Sequence, residues 1–139
     1  NAFVLDVGAG SGILSVAASK LGAGAVVALD VDPEAMKVAR KTMATNGLKG
    51  KIQMIQGTLP NKAISKKRFD FVVANISAEV IGQLGQELWS VLKPSGRLVV
   101  SGFLDTQEHD LLSRLQCVGL VLQERRQISD WVSFILTRK

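Results

Sequence analysis

Short apolar runs and amphipathic stretches alternate along the chain. Ala2–Val7 (AFVLDV), Ala25–Leu29 (AVVAL), Phe69–Ala74 (FDFVVA) and Arg97–Ser101 (RLVVS) are near-continuous apolar runs. That pattern predicts strands covered on both faces of a parallel sheet. Lys51–Gln56 (KIQMIQ) alternates and predicts one more strand. Ser11–Leu21 has helical spacing, and Gly22 stops it. Asp32-Pro33 is an N-cap followed by a first helical proline, for a helix that Asn46-Gly47 ends. Ala78–Leu92 predicts a helix and Lys93–Gly96 a turn. Asp105–Cys117 predicts a helix with acids in its first turn, and Leu120–Arg126 and Trp131–Thr137 two closing strands. Thr58–Arg68 is a polar, basic connection where a helix would be expected.

Strand and helix alternate five times before the two closing strands. This predicts an α/β fold with a seven-stranded, mainly parallel sheet and helices on both faces. The last two strands suit an antiparallel hairpin at one edge. Ligands on such sheets bind beyond the carboxyl ends of the strands, where the strand order reverses.

Composition narrows the picture. The 139 residues suit a single domain, and 47% hydrophobic content supports a real core. A net charge of +5 is compatible with an anionic partner such as RNA, or with a merely basic surface. One cysteine, Cys117, excludes an internal disulfide and fits a reducing, cytoplasmic setting. No apolar run is long enough to span a membrane. The chain opens at Asn1 and enters a strand at once, so a fragment lacking an upstream part is expected.

The candidate chemistry gathers at strand ends. Gly8, Gly10 and Gly12 form G-x-G-x-G at a strand-to-helix turn. Such a loop lets backbone approach a ligand, and the helix start offers free N–H groups. The third glycine of a dinucleotide fingerprint would fall at position 13, which is Ile13. An ordinary glycine-rich turn is the plain alternative. Asp30 ends the second strand and could accept both hydroxyls of a ribose. Asp32 fills the N-cap role, which leaves Asp30 without an evident local task. Asp6 lies beneath the loop, where it could support loop amides or reach a ligand. Gln56-Gly57-Thr58 ends the third strand, where an adenine edge could meet Thr58; a strand-ending turn reads equally well. Asn75 ends the fourth strand and can offer a carbonyl oxygen to an amine, though Asn is also a common turn former.

Several of these segments occur together and in order: Asp6–Gly12, Ala28–Pro33, Val73-Ala74-Asn75-Ile76, Lys93–Leu98, Ser101-Gly102-Phe103-Leu104 and Trp131-Val132. Over essentially the whole chain they resemble the catalytic domain of the PrmA-type methyltransferase family, which modifies ribosomal large-subunit protein 11. The resemblance implies a Rossmann-like class I methyltransferase fold and S-adenosylmethionine as cofactor. It implies methylation, up to trimethylation, of lysine side chains and the N-terminal amine of that ribosomal protein. On its terms Gly8, Gly10 and Asp30 bind cofactor and Asn75 lines the site of transfer. The family's N-terminal substrate-recognition domain, and a threonine-rich segment before the first strand, are expected to be absent from residues 1–139. Ala9 and Ser77 are mild departures from its pattern.

Two other readings compete. One is an RNA methyltransferase of the same fold, for which Lys62, Lys66, Lys67 and Arg68 would form the basic patch; no aromatic residues interleave there to stack bases. The Asn-Pro-Pro of glutamine and adenine methylation is lacking at Asn75-Ile76-Ser77. The other is a cofactor-binding module without activity of its own. Plain structural roles are expected elsewhere: His109 as a solvated helix position, Cys117 as core, and Trp89 and Trp131 as packing anchors.

Overall fold

The computed structural model of the chain describes residues 1–66 and 68–139. Its strands are β1 (Phe3–Val7), β2 (Ala25–Asp30), β3 (Gln53–Gln56), β4 (Phe69–Asn75), β5 (Leu92–Leu104), β6 (Leu120–Ile128) and β7 (Trp131–Arg138). The helices are α1 (Ile13–Lys20), α2 (Pro33–Thr45), α3 (Ala78–Gln83), α4 (Gly85–Val91) and α5 (Asp105–Cys117). The sheet runs β3-β2-β1-β4-β5-β7-β6. β1 to β5 pair in parallel, whereas β7 pairs antiparallel with both β5 and β6. The order reverses between β1 and β4, directly beside the glycine loop that follows β1.

Alternation of side chains along the strands divides the core in two. Leu5, Leu29, Val72 and Val100 face α3, α4 and α5, and pack with Ile81, Leu88, Leu111 and Leu115. Val4, Val26 and Ala28 face the other way, against Val16 of α1 and Ala39 and Met43 of α2. Both clusters form because β1 and β2 carry buried apolar residues on both faces. Asp32 caps α2 by accepting the Glu34 N–H at 2.9 Å, ahead of Pro33.

Several elements and positions differ from the sequence expectation. Ala78–Leu92 is two short helices meeting at Leu84, not one. Lys93–Gly96 lies within the bounds of β5, where pairing with β4 shifts register between Phe69 and Phe71. β6 runs on to Ile128, since hairpin pairing with β7 carries the polar residues 124–127 along. Cys117 is exposed, because its helix turns Leu111 and Leu115 to the core instead.

Candidate functional site

The glycine loop assembles first. Val7 ends β1 beside Leu29 of β2, and the Leu29 carbonyl accepts the N–H of both Gly8 and Ala9 at 2.9 Å. The chain then turns through left-handed backbone at Gly8 (φ 73°), Gly10 (φ 56°) and Gly12 (φ 81°). The three glycines serve different ends. A Cβ on Gly8 would collide with Ile76 Cγ2, so Gly8 lets the end of β4 close in. A Cβ on Gly12 would press on Ala39 and Met43 of α2, at 3.1 and 3.3 Å. Nothing lies within 4 Å of a Cβ on Gly10; there the loop faces open space.

Asp30 is tied to that loop. Its Oδ2 accepts the Gly10 N–H at 2.8 Å, and its Oδ1 accepts the Asp32 N–H at 2.9 Å. Asp30 therefore has a local task, contrary to the sequence expectation: it braces the loop across neighbouring strands and shapes the entry to α2. A carboxylate has about four lone-pair sites, so each oxygen keeps acceptor capacity for a further donor. Asp6 lies below, 1% exposed. Its Oδ2 accepts the Ser15 hydroxyl at 2.7 Å, which secures the start of α1 rather than a loop amide. Burial pushes the Asp6 carboxyl above the ordinary carboxylate range; the Ser15 hydroxyl and amide oppose this, and the nearby Asp30 charge adds to it.

Two more strand ends complete the cleft. The Gly57 N–H donates to the Asp30 carbonyl at 2.8 Å, which brings exposed Thr58 to the same end of the sheet. Asn75 ends β4 opposite Ser101 of β5, with its side chain exposed. Gly102 follows, at φ 92°. A Cβ there would meet the Ile76 carbonyl oxygen at 2.7 Å and Asn75 Oδ1 at 2.8 Å. Asn75, Ser101, Gly102, Arg126 and Trp131 line one cavity of about 560 Å³. The structure thus gathers Asp6, Gly8, Gly10, Gly12, Asp30, Thr58 and Asn75 around the carboxyl ends of β1 to β4, at the order reversal.

The whole chain, residues 1–139, matches the family described as Ribosomal protein L11 methyltransferase (PrmA). The chain belongs to this family. The protein named Ribosomal protein L11 methyltransferase of Pelotomaculum thermopropionicum is 44% identical over 130 residues, covering 94% of this chain and 42% of the relative. Its namesake in Pelobacter propionicus is 41% identical, covering 97% of this chain and 43% of the relative. The chain thus spans less than half the length of these curated relatives. Among solved structures, a ribosomal protein L11 methylase from Lactobacillus delbrueckii subsp. bulgaricus superposes with a TM-score of 0.93 at 34% identity, covering 99% of this chain and 70% of that chain. A SAM dependent methyltransferase from Aquifex aeolicus, 20% identical, shares the fold (TM-score 0.80; 97% of this chain, 81% of that chain).

In this family member, three neighbours of the predicted residues escaped sequence reasoning. The partners of Ser15 and Ile76 come from other elements, so nothing local to either residue signals its contact. Gly102 did carry a signal, a glycine just past a strand run, which suggests a bulge or a close approach. Trp131 is 57% exposed and so is no packing anchor. His109 is exposed, as expected. The basic patch divides: Arg68 stacks over Phe3 and Phe69 at 5.6 and 5.7 Å from their ring centres, and Lys67 lies outside the described residues. Phe3 and Phe69 begin β1 and β4, so Arg68 sits at the sheet end opposite the glycine loop. Among the described residues, no cluster of three or more His, Cys, Asp or Glu could hold a metal, and no helix is long and apolar enough to cross a membrane.

Proposed function

We propose that residues 1–139 form the catalytic domain of an S-adenosylmethionine-dependent protein N-methyltransferase. Its acceptors are lysine side chains and the N-terminal amine of ribosomal large-subunit protein 11, in the cytoplasm. Recognition of the protein substrate is then shared with a domain outside this stretch, in line with relatives more than twice its length. The observation that carries the reading is the loop–acid pair. Gly10 opens onto free space while Asp30, hydrogen-bonded to it at 2.8 Å, keeps acceptor capacity on both oxygens.

These residues fit the cofactor. The first amides of α1 suit its carboxylate, because a helix start carries free N–H donors and partial positive charge. Asp30 suits a pair of ribose hydroxyls. Thr58, beside Gly57, suits the edge of an adenine ring. Asp6 acts below them through Ser15, as support for α1. When bound, S-adenosylmethionine supplies an electrophilic methyl group. Asn75 does the chain's work toward the acceptor. An ammonium has no lone pair, so the amine must be neutral, a form that gains when the docked substrate excludes water from the open cleft. The Asn75 side-chain carbonyl accepts an N–H of the amine and so aims its lone pair. Positioning of this kind supplies much of the acceleration for a displacement without a general base.

The position of Arg68 argues against the RNA reading, which needs its basic patch beside the cleft. Transfer of labelled methyl to ribosomal large-subunit protein 11, with ribosomal RNA as competitor, tests the proposal. We expect label on the protein, and turnover about 3- to 10-fold lower for Asn75→Ala, the net worth of one neutral hydrogen bond. Label on RNA alone, or full turnover in Asn75→Ala, contradicts it.

A further inference from the structure

The two ends of the sheet carry opposite charge. Strands β1 to β5 point their carboxyl ends toward the cleft, and acids gather there. Asp30 ends β2, Asp32, Glu79 and Asp105 start the helices beyond the strand ends, and Asp130 sits in the β6–β7 turn. β7 runs the other way, so its last residues lie with the first residues of β3, β4 and β5. At this far end stand Lys51 before β3, Arg68 before β4, Lys93 and Arg97 early in β5, and Arg138 at the end of β7. Toward the cleft, Lys37, Arg125 and Arg126 are each paired with an acid. Among the described residues of the far end, only Lys93 is so paired, with Asp70 at 2.9 Å.

Three of the far-end cations are held in place. Arg68 lies over Phe3 and Phe69, and Lys93 stands 5.5 Å from the Phe3 ring centre. Arg138 stacks on Trp89 at 3.8 Å and donates to the Leu92 carbonyl at 2.7 Å. Side chains ordered beforehand give up little freedom on binding. Lys51 and Arg97 are exposed. In the order β3-β2-β1-β4-β5-β7, five strand spacings of about 4.8 Å put the ends of this row roughly 24 Å apart. A row of that length outreaches any small anion. It suits the successive phosphates of a nucleic-acid strand, which such contacts position without reading its sequence.

One recess in the row selects among nucleic acids. Asp70, Phe71, Lys93, Ser95 and Arg97 line a cavity of about 380 Å³. Asp70 accepts the Phe3 N–H at 2.8 Å and the Lys93 ammonium at 2.9 Å, which leaves lone pairs to spare. A carboxylate between cations repels a phosphate but accepts a hydroxyl. The exposed Ser95 hydroxyl can donate and accept. A ribose 2′-hydroxyl next to its phosphate fits this mixture, and deoxyribose lacks it. We propose that the far end of the sheet is a docking surface for RNA, held by its phosphate backbone. The RNA is a tether and not the methyl acceptor, because the cleft lies a strand length away, roughly 20 Å for the seven residues of β4. The inference stands on charge and geometry and does not depend on the methyltransferase reading.

The test titrates this chain with fluorescein-labelled oligouridine and with oligodeoxyuridine of equal length, followed by anisotropy over a range of salt. For about five contacts we expect log K to fall with log salt at a slope of about −3 to −4. DNA should bind about 3- to 10-fold more weakly than RNA, the worth of one hydrogen bond. Lys51→Gln/Arg97→Gln should flatten the slope by about 1.4 and weaken binding about 5- to 15-fold near physiological salt. Lys37→Gln/Lys41→Gln removes the same charge from α2 and should stay within about twofold of the native chain; thermal melting checks that both variants fold. Equal loss in the two variants, equal affinity for DNA, or equal capture by polyglutamate or phosphatidylserine vesicles overturns the inference. S-adenosylmethionine is titrated with and without oligouridine, and its affinity should not change. Competition between the two would place RNA in the cleft and overturn the proposal, whereas RNA binding by a chain that fails to take S-adenosylmethionine removes the cofactor reading and leaves this one standing.

Discussion

Asp30 carries two backbone amides before any ligand arrives, and this shows how one residue can serve structure and binding together. The residue and its place at the end of β2 were legible in the sequence. Its bond to Gly10 was not, because that contact exists only once β1 and β2 lie side by side. Gly8 teaches the same lesson through sterics. Its glycine motif was plain, yet the reason for it is Ile76, far along the chain. Gly8→Ala forces left-handed backbone on an L residue and drives a methyl into Ile76. We expect a loss of about 2–5 kcal/mol by urea denaturation. Adding Ile76→Ala should recover the packing part, and a double-mutant cycle showing no coupling would contradict the contact. Asp6 gives a pH signature. Its carboxyl is raised in the folded state, so the stability contributed by its proton is full below the ordinary carboxylate range and is lost as pH climbs through the raised value. Asp6→Asn keeps an acceptor for Ser15 and has no charge to bury. Its Tm should therefore improve relative to the native protein as pH rises from about 4 to about 7; a constant difference would contradict the assignment.

At the level of elements, strands and cap signals transferred well from sequence to structure. β1, β2 and β4 match their apolar runs closely, and α2 begins at the Asp32 cap. The failures share a cause: they lie where two elements negotiate. The break at Leu84 and the irregularity after Leu92 depend on packing against α5 and on the register with β4, and a one-dimensional pattern holds neither. The bulge at Ser101–Gly102 is the functional case. Gly102→Ala would place a methyl at 2.8 Å from Asn75 Oδ1 and 2.7 Å from the Ile76 carbonyl, in backbone at φ 92°. Asn75 must then move. We expect methyl transfer to fall at least tenfold while cofactor affinity stays within about threefold, because the loop and Asp30 lie on other strands. Parallel loss of both would show that the bulge supports the whole cleft instead.

For the whole molecule, alternating strands and helices fixed the class of fold, and the structure supplies its order, β3-β2-β1-β4-β5-β7-β6, with the reversal beside the loop. That reversal turns scattered signals, Gly10 on one strand end and Asp30 and Asn75 on others, into one cleft. Membership of the family covers all 139 residues, while the relatives extend well beyond them. Cofactor binding is thus the property to be measured on this chain by itself. Calorimetric titration of S-adenosylmethionine against the native chain and Asp30→Ala measures it directly. The account predicts saturable one-to-one binding to the native chain, weakened about 10- to 100-fold in Asp30→Ala by the loss of charge-assisted hydrogen bonds. No binding to the native chain, or equal affinity in the variant, would contradict it.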